Sequence, residues 1–184
     1  DRRYAVLASV MNLRIIREET VDIPNLGLTL LPGPYGFELE NQTWKLNPSY
    51  LPLQIFKRFV SVYPNSPWQD LYNSSYRILL ESSQKGFSPD WVLYNPNKGF
   101  HFDKETTDLG SYNAIRTYLW IGLMNEKSEY KEVLVRRYAP ITEKFSQNGY
   151  PPENTYALSG KSSGKGPAGF SAALLPLLKD SYQN

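Results

Sequence analysis

Apolar residues recur at intervals of three and four in segment after segment of this chain, and Pro, Gly or Asn closes each run. In "DRRYAVLASVMNLRIIREE" the recurrent positions are Val6, Val10, Leu13 and Ile16; in "SYLPLQIFKRFVSVYP" they are Leu51, Ile55, Phe59 and Val62. Side chains at that spacing share one face of a helix, so both segments are expected to be helices with a core-facing stripe. Asn47 or Ser49 is the expected cap of the second, with Pro52 in its first turn. "SPWQDLYNSSYRILLESSQKG" is expected to be a third helix, capped by Ser66, with Pro67 at its first position and Gly86 stopping it. "SYNAIRTYLWIGLMN", "SEYKEVLVRRYAPITEKFSQNG" and "GFSAALLPLLKDSY" complete the set, Pro176 ending or kinking the last.

Between the helices, "TVDIPNLGLTLLPGPYGFELENQTWKLNPS" carries two apolar runs around "PGPYG", which predicts an irregular β-hairpin. Two further short strands are expected around "NPNKG". The pattern is mainly α: one domain over residues 1–184, built from helical hairpins stacked side by side with a short β-hairpin excursion. The first segment opens inside an apparent helix with no capping residue, which leads us to expect a piece of a longer protein.

Composition narrows the chemistry. Twenty Lys and Arg against eighteen Asp and Glu imply no polyanionic partner, so nucleic acid is not expected. The absence of Cys excludes disulfides and thiolate chemistry, and a single His excludes a histidine-cluster metal site. No apolar run approaches the length of a membrane span. Acid–base chemistry would therefore fall to carboxylates. "GKSSGKGPAGF" fails as a phosphate loop, because three residues, not four, separate Gly160 from Gly164 and Lys165 precedes Gly166. A tight loop leading into a close-packed helix is expected there. His101, between Phe100 and Phe102, reads as a packed or surface histidine.

Aromatic residues make up 14% of the chain. Trp44, Tyr50, Trp91, Tyr94, Tyr112 and Tyr156 fall in or beside loops and helix starts. Flat faces next to polar groups suit sugar rings, whose C–H faces are apolar while their hydroxyls need hydrogen bonds. Asp90 lies between Pro89 and Trp91, where a carboxylate is expected to be hydrogen-bonded to backbone or held near an Arg. In "GSYNAIRTYLW" the spacing puts Tyr112, Asn113 and Arg116 on one face of a helix start. That is a polar cluster with no group able to take a proton from water.

Five stretches, "WKLNPSYLP", "GFSPDWV", "GSYNAIRTYLW", "NGYPPE" and "GKGPAGFSAALLP", occur in the order and spacing of glycoside hydrolase family 8, which the whole chain resembles. The likeness is strongest to the family's endoglucanases associated with bacterial cellulose synthesis. The resemblance implies part of an (α/α)6 barrel lacking its N-terminal part and C-terminal helices. It also implies inverting hydrolysis of β-1,4-glucan (cellulose) by two carboxylates, with no metal or organic cofactor. The general acid would lie upstream of this chain. Periplasmic or secreted localisation follows from the resemblance, as does the cellulose synthase complex as a partner.

The departure is at residue 113. Close relatives in the family read Ser-Tyr-Asp-Ala-Ile-Arg and use the Asp as presumed base; here the position is Asn113, flanked by Tyr112 and Arg116. An amide can place a water molecule but cannot accept its proton at neutral pH. Either the site has lost its base or another carboxylate serves, and the preceding connection offers Asp103, Glu105 and Asp108. We take the displaced base as the working expectation, because the rest of the cleft pattern is present. Trp44, Tyr50, Asp90, Trp91 and Tyr156 are the expected glucan-binding residues. The alternatives are a non-catalytic glucan-binding relative acting in cellulose export and a chitosanase. A chitosanase needs an acidic cleft for its polycationic substrate, and the slight basic excess of the chain argues against it.

Overall fold

The computed structural model describes residues 2–181, and helices dominate it. Helix α1 (Arg2–Glu18) leads into a hairpin of β1 (Thr20–Ile23) and β2 (Gly27–Leu30). The strands β3 (Glu38–Leu39) and β4 (Thr43–Leu46) form a second hairpin, followed by a 3-10 turn (Pro48–Tyr50), α2 (Leu53–Val62) and α3 (Trp68–Glu81). Next come the strands β5 (Val92–Asn95), β6 (Gly99–His101) and β7 (Leu109–Gly110), then α4 (Ala114–Gly122), α5 (Lys131–Arg137) and α6 (Ala139–Asn148). The short strands β8 (Asn154–Tyr156) and β9 (Ser162–Ser163) precede α7 (Ala168–Ser181). All pairing is antiparallel, in sheets ordered β1-β2, β3-β4-β5-β6 and β7-β8-β9.

Several elements depart from the sequence expectation. The segment 20–46 makes two hairpins, turning at Asn25 and at Asn41-Gln42, whose positive φ angles of 66°, 57° and 53° supply the reversals. "PGPYG" merely connects them. β4 then pairs with β5, so the excursion becomes the edge of a four-stranded sheet. Helix α2 starts at Leu53, after the 3-10 turn, so its buried face is Leu53 and Phe56 rather than Ile55 and Val62. Residue 66 contributes no side-chain cap to α3. The single helix expected over 128–149 is two, broken at Tyr138 because Pro140 cannot donate into a continuing helix. Helix α7 instead runs through Pro176.

On α1, only Asn12 is buried, where it accepts from Trp68 Nε1; Val6, Val10 and Leu13 are exposed. The pairing of helices is also less local than expected. α2 packs on α3, but α4 packs most extensively on α7, fifty residues downstream in the chain. A Cβ on Gly122 would stand 2.4 Å from the Leu177 nitrogen, so the two backbones touch there and only glycine fits. The core joins Trp68, Leu71, Tyr72, Ile78 and Leu79 of α3 to Tyr118, Ile121, Leu134, Tyr138, Leu174 and Leu177.

Candidate active site

Helix α4 begins at a turn that its own residues do not cap. The Asn113 side chain makes no capping bond. The job falls to Asp90, twenty residues upstream, whose Oδ1 accepts from the backbone N–H groups of Ser111 (2.8 Å), Asn113 (3.0 Å) and Ala114 (2.7 Å). A carboxylate at a helix N-terminus satisfies orphan donors and meets the positive end of the helix dipole. Asp90 N–H also donates to Leu109 O at 2.8 Å, which ties β7 to the same loop. Beneath it, the buried Tyr118 hydroxyl accepts from Ser88 N–H at 3.0 Å. Burial pushes the Tyr118 phenol well above its ordinary range, so it stays protonated. A Cβ on Gly110 would overlap Ser88 O at 2.0 Å, so the backbones are pressed together just ahead of the turn.

The capped turn presents Tyr112, Asn113 and Arg116 together, as the sequence predicted. Tyr112 is 60% exposed and rests edge-on against Phe170, with ring centres 5.0 Å apart. The Arg116 guanidinium donates to Asn113 Oδ1, to Ser49 Oγ at 2.9 Å and to Tyr112 O at 3.4 Å. Ser49 is set in turn by Asn47, whose Oδ1 accepts from both Ser49 N–H and Oγ–H, and its carbonyl accepts from Trp120 Nε1 at 2.9 Å. Asn47 and Ser49, expected only as helix caps, are thus part of the site. Their membership depends on a contact across 67 residues, which no local pattern shows.

This arrangement fixes the polarity of residue 113. Its amide oxygen accepts from Arg116, and its Nδ2 group carries two donors for solvent or ligand. A water bound by those donors keeps its protons directed elsewhere. Residue 113 is therefore a donor station, the opposite of a base.

Beside Arg116 lies an aromatic face. The guanidinium sits over the Tyr50 ring at 5.5 Å, Tyr50 meets Trp91 edge-on at 6.2 Å, and Phe37 stacks on Trp91 at 6.0 Å with ring planes 8° apart. Lys45 Nζ lies over Trp91 at 5.2 Å. Tyr50 and Trp91 are thus together and accessible; Phe37 and Lys45 were not singled out from the sequence. Trp44 is a correction. It points into the core at 4% exposure, because β4 alternates and the neighbouring position, Lys45, takes the outer face. Tyr94, at 3% exposure, is also a core residue, packed on Phe100. Tyr156 sits half-buried in β8 opposite Leu109.

The three loop carboxylates have different surroundings. Asp103 Oδ1 accepts from the N–H groups of Thr106 (2.6 Å) and Glu105 (2.9 Å). The Thr106 N–H above all holds Asp103 below the usual carboxylate range; desolvation opposes it, and the Glu105 N–H and the charges of His101 and Lys45 add to the lowering. Asp108 Oδ2 accepts from Leu158 N–H at 3.0 Å and so secures the β8–β9 segment. Glu105 is exposed, and among the described residues no hydrogen bond engages its carboxylate. None of the three is hydrogen-bonded to Tyr112, Asn113 or Arg116. Among the described residues no group of His, Cys, Asp and Glu is arranged to hold a metal ion, and no helix is long and apolar enough to cross a membrane.

The described residues thus form a helical domain with a capped Tyr-Asn-Arg turn beside an aromatic face, and the comparisons with known proteins give it a family. The model of glycosyl hydrolases family 8 matches residues 1–184, and the chain belongs to that family. It is 45% identical over 183 residues to an endoglucanase of Escherichia coli (strain K12), covering 98% of this chain and 48% of that protein. An endoglucanase of Xanthomonas axonopodis pv. citri (strain 306) is 38% identical over 167 residues, 90% of this chain and 43% of the relative. The crystal structure of an endo-1,4-D-glucanase from Vibrio fischeri ES114 superposes with a TM-score of 0.92 at 39% identity, covering 97% of this chain and 52% of that one. The chain thus spans about half the length of the relatives it matches.

Proposed function

We propose that this chain forms part of an endo-β-1,4-glucanase domain that hydrolyses cellulose-type glucan with inversion, in an (α/α)6 barrel completed by the family's remaining helices. The observation that carries this reading is the Asp90-capped turn, which holds Tyr112, Asn113 and Arg116 beside the exposed Tyr50–Trp91 face. One polar station and one stacking surface side by side are what a glucan chain needs for its hydroxyls and its apolar ring faces. The relatives named as endoglucanases support the substrate class. Export to the periplasm or beyond, and work alongside the cellulose synthase complex, are further parts of the proposal.

Inversion needs an acid and a base on opposite sides of the sugar, about 6.5–9.5 Å apart. The acid is assigned to the family's upstream part. Since Asn113 is a donor, the base is assigned to the 102–108 connection. Glu105 is the first choice, because Asp103 is made less basic by its backbone partners and Asp108 is tied to Leu158. The test uses the full-length protein with Glu105→Gln, Asp103→Asn, Asp108→Asn and Asn113→Asp, measured as reducing ends released from cellulose derivatives. Glu105→Gln should lower turnover about 10²–10⁴-fold with binding retained, the usual scale for a positioned base. Asn113→Asp should raise it little. A large gain in Asn113→Asp with three neutral loop variants would instead mean that the site had simply lost its base at position 113.

A further inference from the structure

Among the described residues no carboxylate pairs with Arg116. Its three hydrogen-bond partners, Asn113 Oδ1, Ser49 Oγ and Tyr112 O, are neutral, and so is the Tyr50 ring beneath it. Three of its five N–H groups are used, which leaves Nε–H and one Nη1 proton without a partner among the described residues. The adjacent carboxylate, Asp90, spends Oδ1 on three backbone N–H groups and the positive end of α4. A carboxylate at 113 would pair with the guanidinium directly; the neutral amide does not.

The same face carries a second cation. Lys45 lies over Trp91 and forms no ion pair among the described residues. The nearest acidic influence on it is Asp103, an exposed carboxylate already bound to two backbone N–H groups. Arg116, Tyr50, Trp91 and Lys45 form a continuous row in which each ring carries a cation. Such a row offers stacking for a sugar and charge-assisted donors for an acidic group on it.

We propose that this face selects β-glucan bearing an oxyanion substituent, a carboxylate or phosphate-type group on the sugar, with Arg116 as the residue that receives it. The proposal rests on the glucan-binding reading above and names the substrate class more narrowly. It follows that a polycationic glucan such as chitosan is disfavoured at the same row.

The test is calorimetric binding of two cello-oligosaccharides of equal length, one carboxymethylated and one neutral, to the full-length protein at low and at raised salt. The carboxymethylated sugar should bind about tenfold more tightly at low salt, the scale of one charge-assisted contact, and the preference should shrink as salt screens it. Arg116→Gln should abolish the preference, Arg116→Lys should keep most of it, and Asn113→Asp should abolish it by supplying a counter-charge from within. If Arg116→Gln melts early, Asn113→Asp carries the test, since it changes charge with almost no change of shape. Equal affinity for the two sugars, or a preference untouched by both neutralising variants, overturns this inference and leaves the glucan reading standing. Failure of both sugars to bind overturns both readings.

Discussion

Helix α4 is tied down at both ends by a charged side chain from elsewhere in the chain, yet the two ends serve different purposes. At the N-terminal end the Asp90 carboxylate accepts from three backbone N–H groups. At the C-terminal end Lys131 Nζ donates to Ile121 O (2.7 Å) and Gly122 O (2.9 Å) and pairs with Asp180 of α7 at 2.5 Å. Both signs match the helix dipole. The difference is closure. The side chains of Lys131 and Asp180 are 6% and 12% exposed, and Gly122 presses on α7 beside them. The N-terminal end leaves Tyr112 open and the Asn113 amide half-exposed. A helix with one end locked into the core holds whatever stands at its other end in a fixed place.

Breaking the closed end should have the largest effect on stability. Lys131→Met removes an ion pair to the nearly buried Asp180 and two carbonyl contacts, and a broken buried pair costs about 3–5 kcal/mol. Thermal unfolding should fall accordingly, and the double variant Lys131→Met/Asp180→Leu should recover part of the loss, because both charges of the pair are then replaced by apolar side chains. If the single variant unfolds within about 1 kcal/mol of the parent, the closed end contributes little and the comparison fails.

Breaking the open end should cost less stability and more function. Asp90→Ala leaves three N–H groups without an acceptor, worth about 2 kcal/mol for a lost cap. Asp90→Asn keeps one acceptor oxygen and should cost less. The readout that separates positioning from plain stability is glucan affinity well below the melting temperature. It should drop in Asp90→Ala, recover in part in Asp90→Asn, and stay unchanged in Lys131→Arg, which retains the C-terminal tie. Equal losses of affinity in all three variants would show that the turn is not set by its cap.

The two ends also mark how much of the molecule was legible beforehand. Local spacing sufficed for the existence of α3, α4 and α7 and for the β5–β6 hairpin around "NPNKG", and it put Tyr112, Asn113 and Arg116 on one helix start. Of the two environments expected for Asp90 between Pro89 and Trp91, backbone hydrogen bonds or a neighbouring Arg, the structure shows the first. Local spacing failed where a residue's fate depends on a distant partner. Trp44 faces the core because β4 pairs with β5 across some fifty residues, and Ser49 joins the site only because α4 docks on the 3-10 turn. Pro176 stays within a helix because α7 is held along α4 at Gly122, where packing outweighs the lost hydrogen bond.

The smallest effect concerns Asp103, which repeats the Asp90 arrangement at the surface, with one oxygen accepting from two backbone N–H groups and no burial to reinforce it. Its folded carboxyl titrates below the ordinary value, chiefly through the Thr106 N–H. The turn's contribution is therefore complete above the unfolded Asp range, about pH 3.9, and is lost as pH falls through the lowered folded value. The amide resonances of Glu105 and Thr106 should accordingly move with a midpoint below that of an ordinary Asp, while global unfolding is barely affected. Those two amides lead to Glu105, the residue assigned as base, so acid loosening of the turn would disturb its aim. A midpoint at or above the ordinary Asp value would remove Asp103 from the comparison and leave the Asp90 cap to stand without a surface counterpart in the 102–108 connection.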